Sequence, residues 1–169
     1  YFDTIAYRNK ALMLTDKAVV DAIRLTAGND VTLIFGIAEE MNGKLYISQI
    51  VAESGEIVGV YRKHNAIDNE ADVFAAGDGE PVFTKGDVKY GITICADIDL
   101  PDLYQRYASK SCDIVFECAS PDLYGGRETR NWEKGYQWWR NNCIEKLGQY
   151  ARNNAIQIAV ATQGGRNAE

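Results

Sequence analysis

Residues 90–101 read Tyr90-Gly91-Ile92-Thr93-Ile94-Cys95-Ala96-Asp97-Ile98-Asp99-Leu100-Pro101. The first five are β-branched or aromatic around one glycine, which predicts a short buried strand. Pro101 suits the first turn of a helix, so a helix is predicted from there to about residue 109. Cys95 therefore sits where a strand ends and a turn leads into a helix. Ligand sites of open α/β sheets lie at the carboxyl ends of strands. A thiol there, close to a helix N-terminus, has its thiolate favoured by the dipole and by nearby N–H groups.

Working outward, the same alternation of strand and helix continues. Upstream, a helix is predicted over 15–27, capped by Thr15 or Asp16 and ended by Gly28. A β-rich run over 31–37 follows, then the hairpin dipeptide Asn42-Gly43, a return strand over 44–52, a turn at Ser54-Gly55 and a third strand over 56–61. Residues 62–80 are polar and irregular, and 81–84 form a short strand. Downstream, 113–116 read as a buried strand and Tyr124-Gly125-Gly126 as a loop. A long helix over 132–153 carries an apolar stripe of Tyr136, Trp139, Cys143, Leu147 and Tyr150. A last strand spans 156–161. A meander followed by strand–helix–strand–helix–strand predicts a mixed sheet with helices on it, in one α/β domain over residues 1–169. Both ends stop beside predicted structure, so further strands are expected on either side.

Composition narrows the partners. A net charge of -6 disfavours a phosphate backbone or an anionic membrane surface, since either needs a basic face. No apolar run approaches the ~20 residues that cross a bilayer. Cys95, Cys112, Cys118 and Cys143 lack the spacing of a zinc knuckle or a redox dithiol, so we expect reduced thiols, a cytoplasmic setting and no metal.

Other residues could join Cys95. Lys63, at a strand end in Tyr61-Arg62-Lys63, could hold an anionic tetrahedral intermediate. Glu70 lies in the irregular segment after it. Glu39 and Glu40 end a strand before a hairpin and are expected to face solvent. Asp97 and Asp99 could cap the following helix. His64 is the only histidine, and a Cys–His dyad is set aside because His64 merely flanks Lys63. Tyr124, Trp132, Trp138 and Trp139 could wall a pocket or simply pack a helix.

Taken together these motifs resemble the carbon–nitrogen hydrolases of the nitrilase superfamily. Tyr61-Arg62-Lys63 resembles that family's lysine motif. The stretch from Gly91 to Asp97, with Pro101 after it, resembles its nucleophile motif. Glu70 through Phe74 to Gly77 is similar to the segment that carries a second glutamate. Residues 113–116 and then 151–160 fit the order of that fold.

The resemblance implies a four-layer α-β-β-α sandwich, incomplete at both ends. It implies an amidase- or nitrilase-type hydrolase that needs no cofactor. Cys95 would attack the substrate carbon to form a thioester, and Lys63 and the Ala96 backbone N–H would hold the oxyanion. Glu70 would position substrate or water, and Tyr124 would line the substrate site. The family's general-base glutamate would precede Tyr1. Arginines that bind a substrate carboxylate in some relatives fall at Ile98 and Asp99 here, so Asp99 is expected to disfavour anionic substrates. The expected partner is a small amide, nitrile or carbamoyl compound, and the expected assembly a homo-oligomer. The competing reading is a catalytically incomplete nitrilase-like domain serving in assembly or partner binding.

Overall fold

The computed structural model describes residues 8–119 and 131–162. The chain divides into two compact units, Tyr1–Gly86 and Asp87–Glu169.

The first unit is an antiparallel meander with one helix on it. Helix α1 (Lys17–Arg24) buries Val19 and Ile23, which meet Ile50 and Ala52, with Leu12, Leu14, Phe35, Ile37 and Val60 around them. Strands β1 (Leu33–Met41), β2 (Lys44–Glu53) and β3 (Glu56–Arg62) pair in sequence order. The β1–β2 turn is Asn42-Gly43, at φ 53° and 75°. Both central residues are left-handed, which gives a two-residue hairpin the twist its strands require. β1 runs four residues past the predicted end at 37, as far as that turn, so Glu39 and Glu40 belong to the strand. A three-residue 3₁₀ turn, Asp68–Glu70, interrupts the irregular segment, and β4 (Phe83–Lys85) closes the unit.

In the second unit, β5 (Val88–Ile94), β6 (Ile114–Ala119) and β7 (Gln157–Thr162) form a parallel array. The register sets Thr93 beside Glu117 and Ile94 beside Cys118. Helix α2 (Pro101–Ser109) starts at the proline, as its sequence predicts, and buries Leu103, Tyr104 and Tyr107. The Tyr107 hydroxyl donates to the Ile92 carbonyl at 2.8 Å. β6 extends beyond the predicted 113–116 and alternates buried Val115, Glu117 and Ala119 with half-buried neighbours.

The long helix is present but not uniform. It runs as α3 (Trp132–Trp139), a π-helical segment Arg140–Lys146 and α4 (Leu147–Asn154). The wider π turn rotates the two halves out of a common stripe. Leu147 is buried, whereas Tyr136 is 54% exposed, so the predicted stripe does not extend to Tyr136. Ala155, left-handed at φ 51°, ends the helix before β7.

Candidate active site

Cys95 begins a short 3₁₀ turn, Cys95–Asp99, directly after β5. Its φ is 48°, in the left-handed region that a non-glycine residue occupies at a cost of about 1–3 kcal/mol. Such strain persists only where the surroundings over-determine it. Here Asp97, fully buried, accepts the Ile94 N–H on Oδ2 at 2.9 Å, and its carbonyl accepts the Leu100 N–H at 2.9 Å. The turn is thus tied at both ends through one residue, by its carboxylate on one side and its backbone carbonyl on the other. Asp97 clamps the elbow rather than capping α2. The elbow also separates Cys95 from α2, which begins only at Pro101, so the helix dipole acts on the thiol less directly than the sequence suggests. Ala96, the expected second oxyanion donor, is buried in the same turn.

The long helix braces this elbow from the side. The Tyr150 hydroxyl donates to the Ile98 carbonyl at 3.2 Å, and Lys146 Nζ donates to Asp99 Oδ1. The Asp99 charge is therefore paired with Lys146.

None of the four cysteines is in a disulfide. Burial pushes the Cys112, Cys118 and Cys143 thiols up to about 11. For Cys118 the Glu117 charge adds to this, and for Cys143 the Glu117 and Cys95 charges do.

A carboxyl that sequence reading overlooked lies under the elbow. Glu117, 1% exposed, accepts hydrogen bonds on Oε2 from Thr93 Oγ1 at 2.5 Å and from the Tyr104 hydroxyl at 3.1 Å. The Cys95 backbone N–H also reaches this carboxyl. Desolvation dominates these bonds and pushes the Glu117 carboxyl up to about 7, with the Asp97 charge adding to the rise. The available signal was a charged residue inside an apolar run, Val115-Phe116-Glu117-Cys118, which a strand ending at Phe116 left outside.

In the first unit, Lys63 and Glu70 are brought together. Lys63 is 3% exposed, and its Nζ lies 2.5 Å from Glu70 Oε2, which also accepts the Ile67 N–H at 3.3 Å. The backbone around the pair is pinned. The Lys63 N–H donates to Ile47, the Gly77 N–H to Lys63 and the Ala75 N–H to Leu45, each at 2.8 Å. Gly77 is required by close approach, since a Cβ there would lie 2.2 Å from the Arg62 carbonyl oxygen.

Glu39 corrects an expectation. It is 1% exposed rather than solvent-facing. Arg62 binds it through Nε at 2.7 Å and Nη2 at 2.6 Å, and Ser48 Oγ donates at 2.6 Å. Successive strand residues point to opposite faces. The dipeptide Arg62-Lys63 thus sends one cation to Glu39 and the next to Glu70. His64 stacks on Tyr61 at 5.6 Å between centroids, with Nε2 2.9 Å from the Gly79 carbonyl oxygen. Tyr124 lies outside the described residues, and nothing is described of the Trp132 side chain.

Among the described residues, no cluster of three or more His, Cys, Asp or Glu side chains is placed to hold a metal ion, and no helix is long and apolar enough to cross a membrane.

The comparisons with known proteins agree with these motifs. The family model described as carbon–nitrogen hydrolase matches residues 2–151. A protein of Schizosaccharomyces pombe named as a probable nitrilase is 29% identical over 147 residues, 83% of this chain and 48% of its own length. An omega-amidase of Xenopus tropicalis is 29% identical over 136 residues, 75% of this chain and 44% of its own. The chain thus spans about half the length of the curated relatives it matches. Among solved structures, Saccharomyces cerevisiae Nit3, a nitrilase-superfamily member, aligns with a TM-score of 0.76 at 18% identity, covering 99% of this chain and 59% of that one. A carbon–nitrogen hydrolase from Helicobacter pylori aligns with a TM-score of 0.72 at 26% identity, over 85% of this chain and 50% of its own. The fold is that of the nitrilase superfamily, and the chain belongs to the carbon–nitrogen hydrolase family.

Proposed function

We propose that this protein hydrolyses a carbon–nitrogen bond in a small non-peptide amide or nitrile, with Cys95 as nucleophile. The observation that carries the reading is the elbow. A cysteine at the carboxyl end of a parallel strand is held at φ 48° in a turn tied by the buried Asp97, a strained conformation of the kind that clusters at active sites. Family membership supports the same role.

For an amide, the Cys95 sulfur adds to the carbonyl carbon and the oxygen becomes an oxyanion. Collapse of that intermediate expels the amine, which leaves with a proton, and a thioester remains. Water then adds to the thioester, and its collapse releases the carboxylic acid and regenerates the thiol. In this reading Lys63 and the Ala96 N–H stabilise the oxyanion. Glu70, paired with Lys63, keeps that lysine oriented and positions the substrate or the attacking water.

The test is ammonia release from a panel of neutral amides and nitriles. Cys95→Ala should abolish it, and Lys63→Ala should lower turnover by at least ~10²-fold, the scale of losing one oxyanion donor. Normal turnover in either variant would contradict the assignment.

A further inference from the structure

Glu117 is a buried titratable group that the mechanism above does not use. Glu117 lies on β6 beside Thr93, two residues before the nucleophile on the neighbouring strand. Building on the reading of Cys95 as nucleophile, we propose that Glu117 is a positioning residue for that thiol: it holds the elbow through the Cys95 amide and ties the thiol's reactivity to its own charge.

The geometry makes the carboxyl an anchor. Thr93 on β5 and Tyr104 on α2 both fix Oε2, so the side chain cannot swing away from the strand end. Its other oxygen, Oε1, is buried and accepts no hydrogen bond from a described residue. An unpaired buried oxygen favours the neutral acid.

The electrostatic surroundings give this neutrality a consequence. Among the described residues, titratable groups face Glu117 from the elbow, α2, β6 and the π-helical segment, whereas the adjoining positions on β5 and β7 are Thr93 and Val160. The titratable groups are Asp97 on the elbow, Tyr104 on α2, Cys118 on β6 itself and Cys143 on the π-helical segment. Each of these is neutral or negative, and none supplies a cation. Ionisation of Glu117 therefore places a negative charge beside Asp97, on the carboxyl that the Cys95 amide reaches, within the residue whose sulfur must itself become negative for attack. Like charges in one site oppose each other's ionisation. With the Glu117 carboxyl pushed up to about 7, the switch falls in the range where the enzyme would work. Below it the carboxyl is neutral and does not oppose the thiolate. Above it the carboxylate restrains the rise in thiol reactivity that increasing pH would otherwise bring.

The experiment is iodoacetamide labelling of the protein from pH 5.5 to 9, with the rate at each cysteine followed by peptide mapping. In wild type, Cys95 should label first, and its rate should climb less steeply above about pH 7 than a single thiol would. Glu117→Gln keeps the shape and removes the charge. It should abolish that break and raise the Cys95 rate at pH 8.5 by about three- to ten-fold, with the smallest gain at pH 5.5. Thr93→Val removes a bond that favours the ionised carboxyl, so it should move the break to higher pH. This second variant carries the test if Glu117→Gln does not fold. A Cys95-first wild type whose profile is unchanged by Glu117→Gln, or a break unmoved by Thr93→Val, overturns the proposal alone. Earlier labelling of Cys112, Cys118 or Cys143 in wild type overturns the nucleophile reading and the proposal with it.

Discussion

Two glutamates, Glu39 in the first unit and Glu117 in the second, are each 1% exposed, and the protein treats them in opposite ways. Glu39 is met by the two-pronged Arg62 and by Ser48, all on one face of the meander. That pairing also raises the Arg62 guanidinium, chiefly through the Glu39 hydrogen bonds. Among the described residues, Glu117 receives hydroxyl groups and an amide rather than a cation, and desolvation outweighs them. The first arrangement fixes a strand end and separates Arg62 from its neighbour Lys63. The second leaves a carboxyl that can change state near neutral pH, next to the proposed nucleophile. Burial alone does not decide a carboxyl's charge; the partner does.

The largest effect that could break this comparison is loss of the Glu39 partner. Arg62→Ala leaves a buried carboxylate without its countercharge and should destabilise the fold by about 3–5 kcal/mol in urea unfolding. Adding Glu39→Gln to that variant should recover part of the loss, because the stranded charge is then gone. A single variant as stable as wild type would mean that Glu39 is not held as an anion.

The next effect is smaller and depends on pH. In the unfolded chain the Glu117 carboxyl titrates near its ordinary 4.5, whereas in the folded protein it keeps its proton up to about 7. The folded state therefore binds more protons between those values, and its stability falls as pH rises through that window. The loss should total about 3 kcal/mol by pH 8, and Glu117→Gln should remove it. Parallel stability–pH curves for the two proteins would show that Glu117 does not titrate in this window in the folded protein.

The two glutamates also mark where sequence reading stops. Asn42-Gly43 and the Pro101 helix start are legible because each is determined by residues next to it. The order of the lysine and cysteine motifs is legible because it is linear. The partners of Glu39 lie 9 and 23 residues away, and Thr93 lies 24 residues from Glu117. A carboxyl whose partner arrives from a distant strand looks, in sequence, like any solvent-facing acid. The left-handed φ of Cys95 is hidden for a related reason. Cysteine has no preference for that region, and the strain is held by the Asp97 clamp rather than by the residue itself. The π-helical segment is hidden because the apolar spacing continues at helical period through it, so the exposure of Tyr136 follows from backbone geometry that the pattern does not encode.

The central claim is that Cys95 carries the acyl group during catalysis. Acid-quenching the protein during turnover of a slowly hydrolysed neutral amide, followed by peptide mass spectrometry, tests it directly. The account predicts the acyl mass on the peptide containing Cys95, lost on treatment with hydroxylamine as a thioester should be, and absent from Cys95→Ala. An acyl group on another residue, or undiminished turnover in Cys95→Ala, would contradict it.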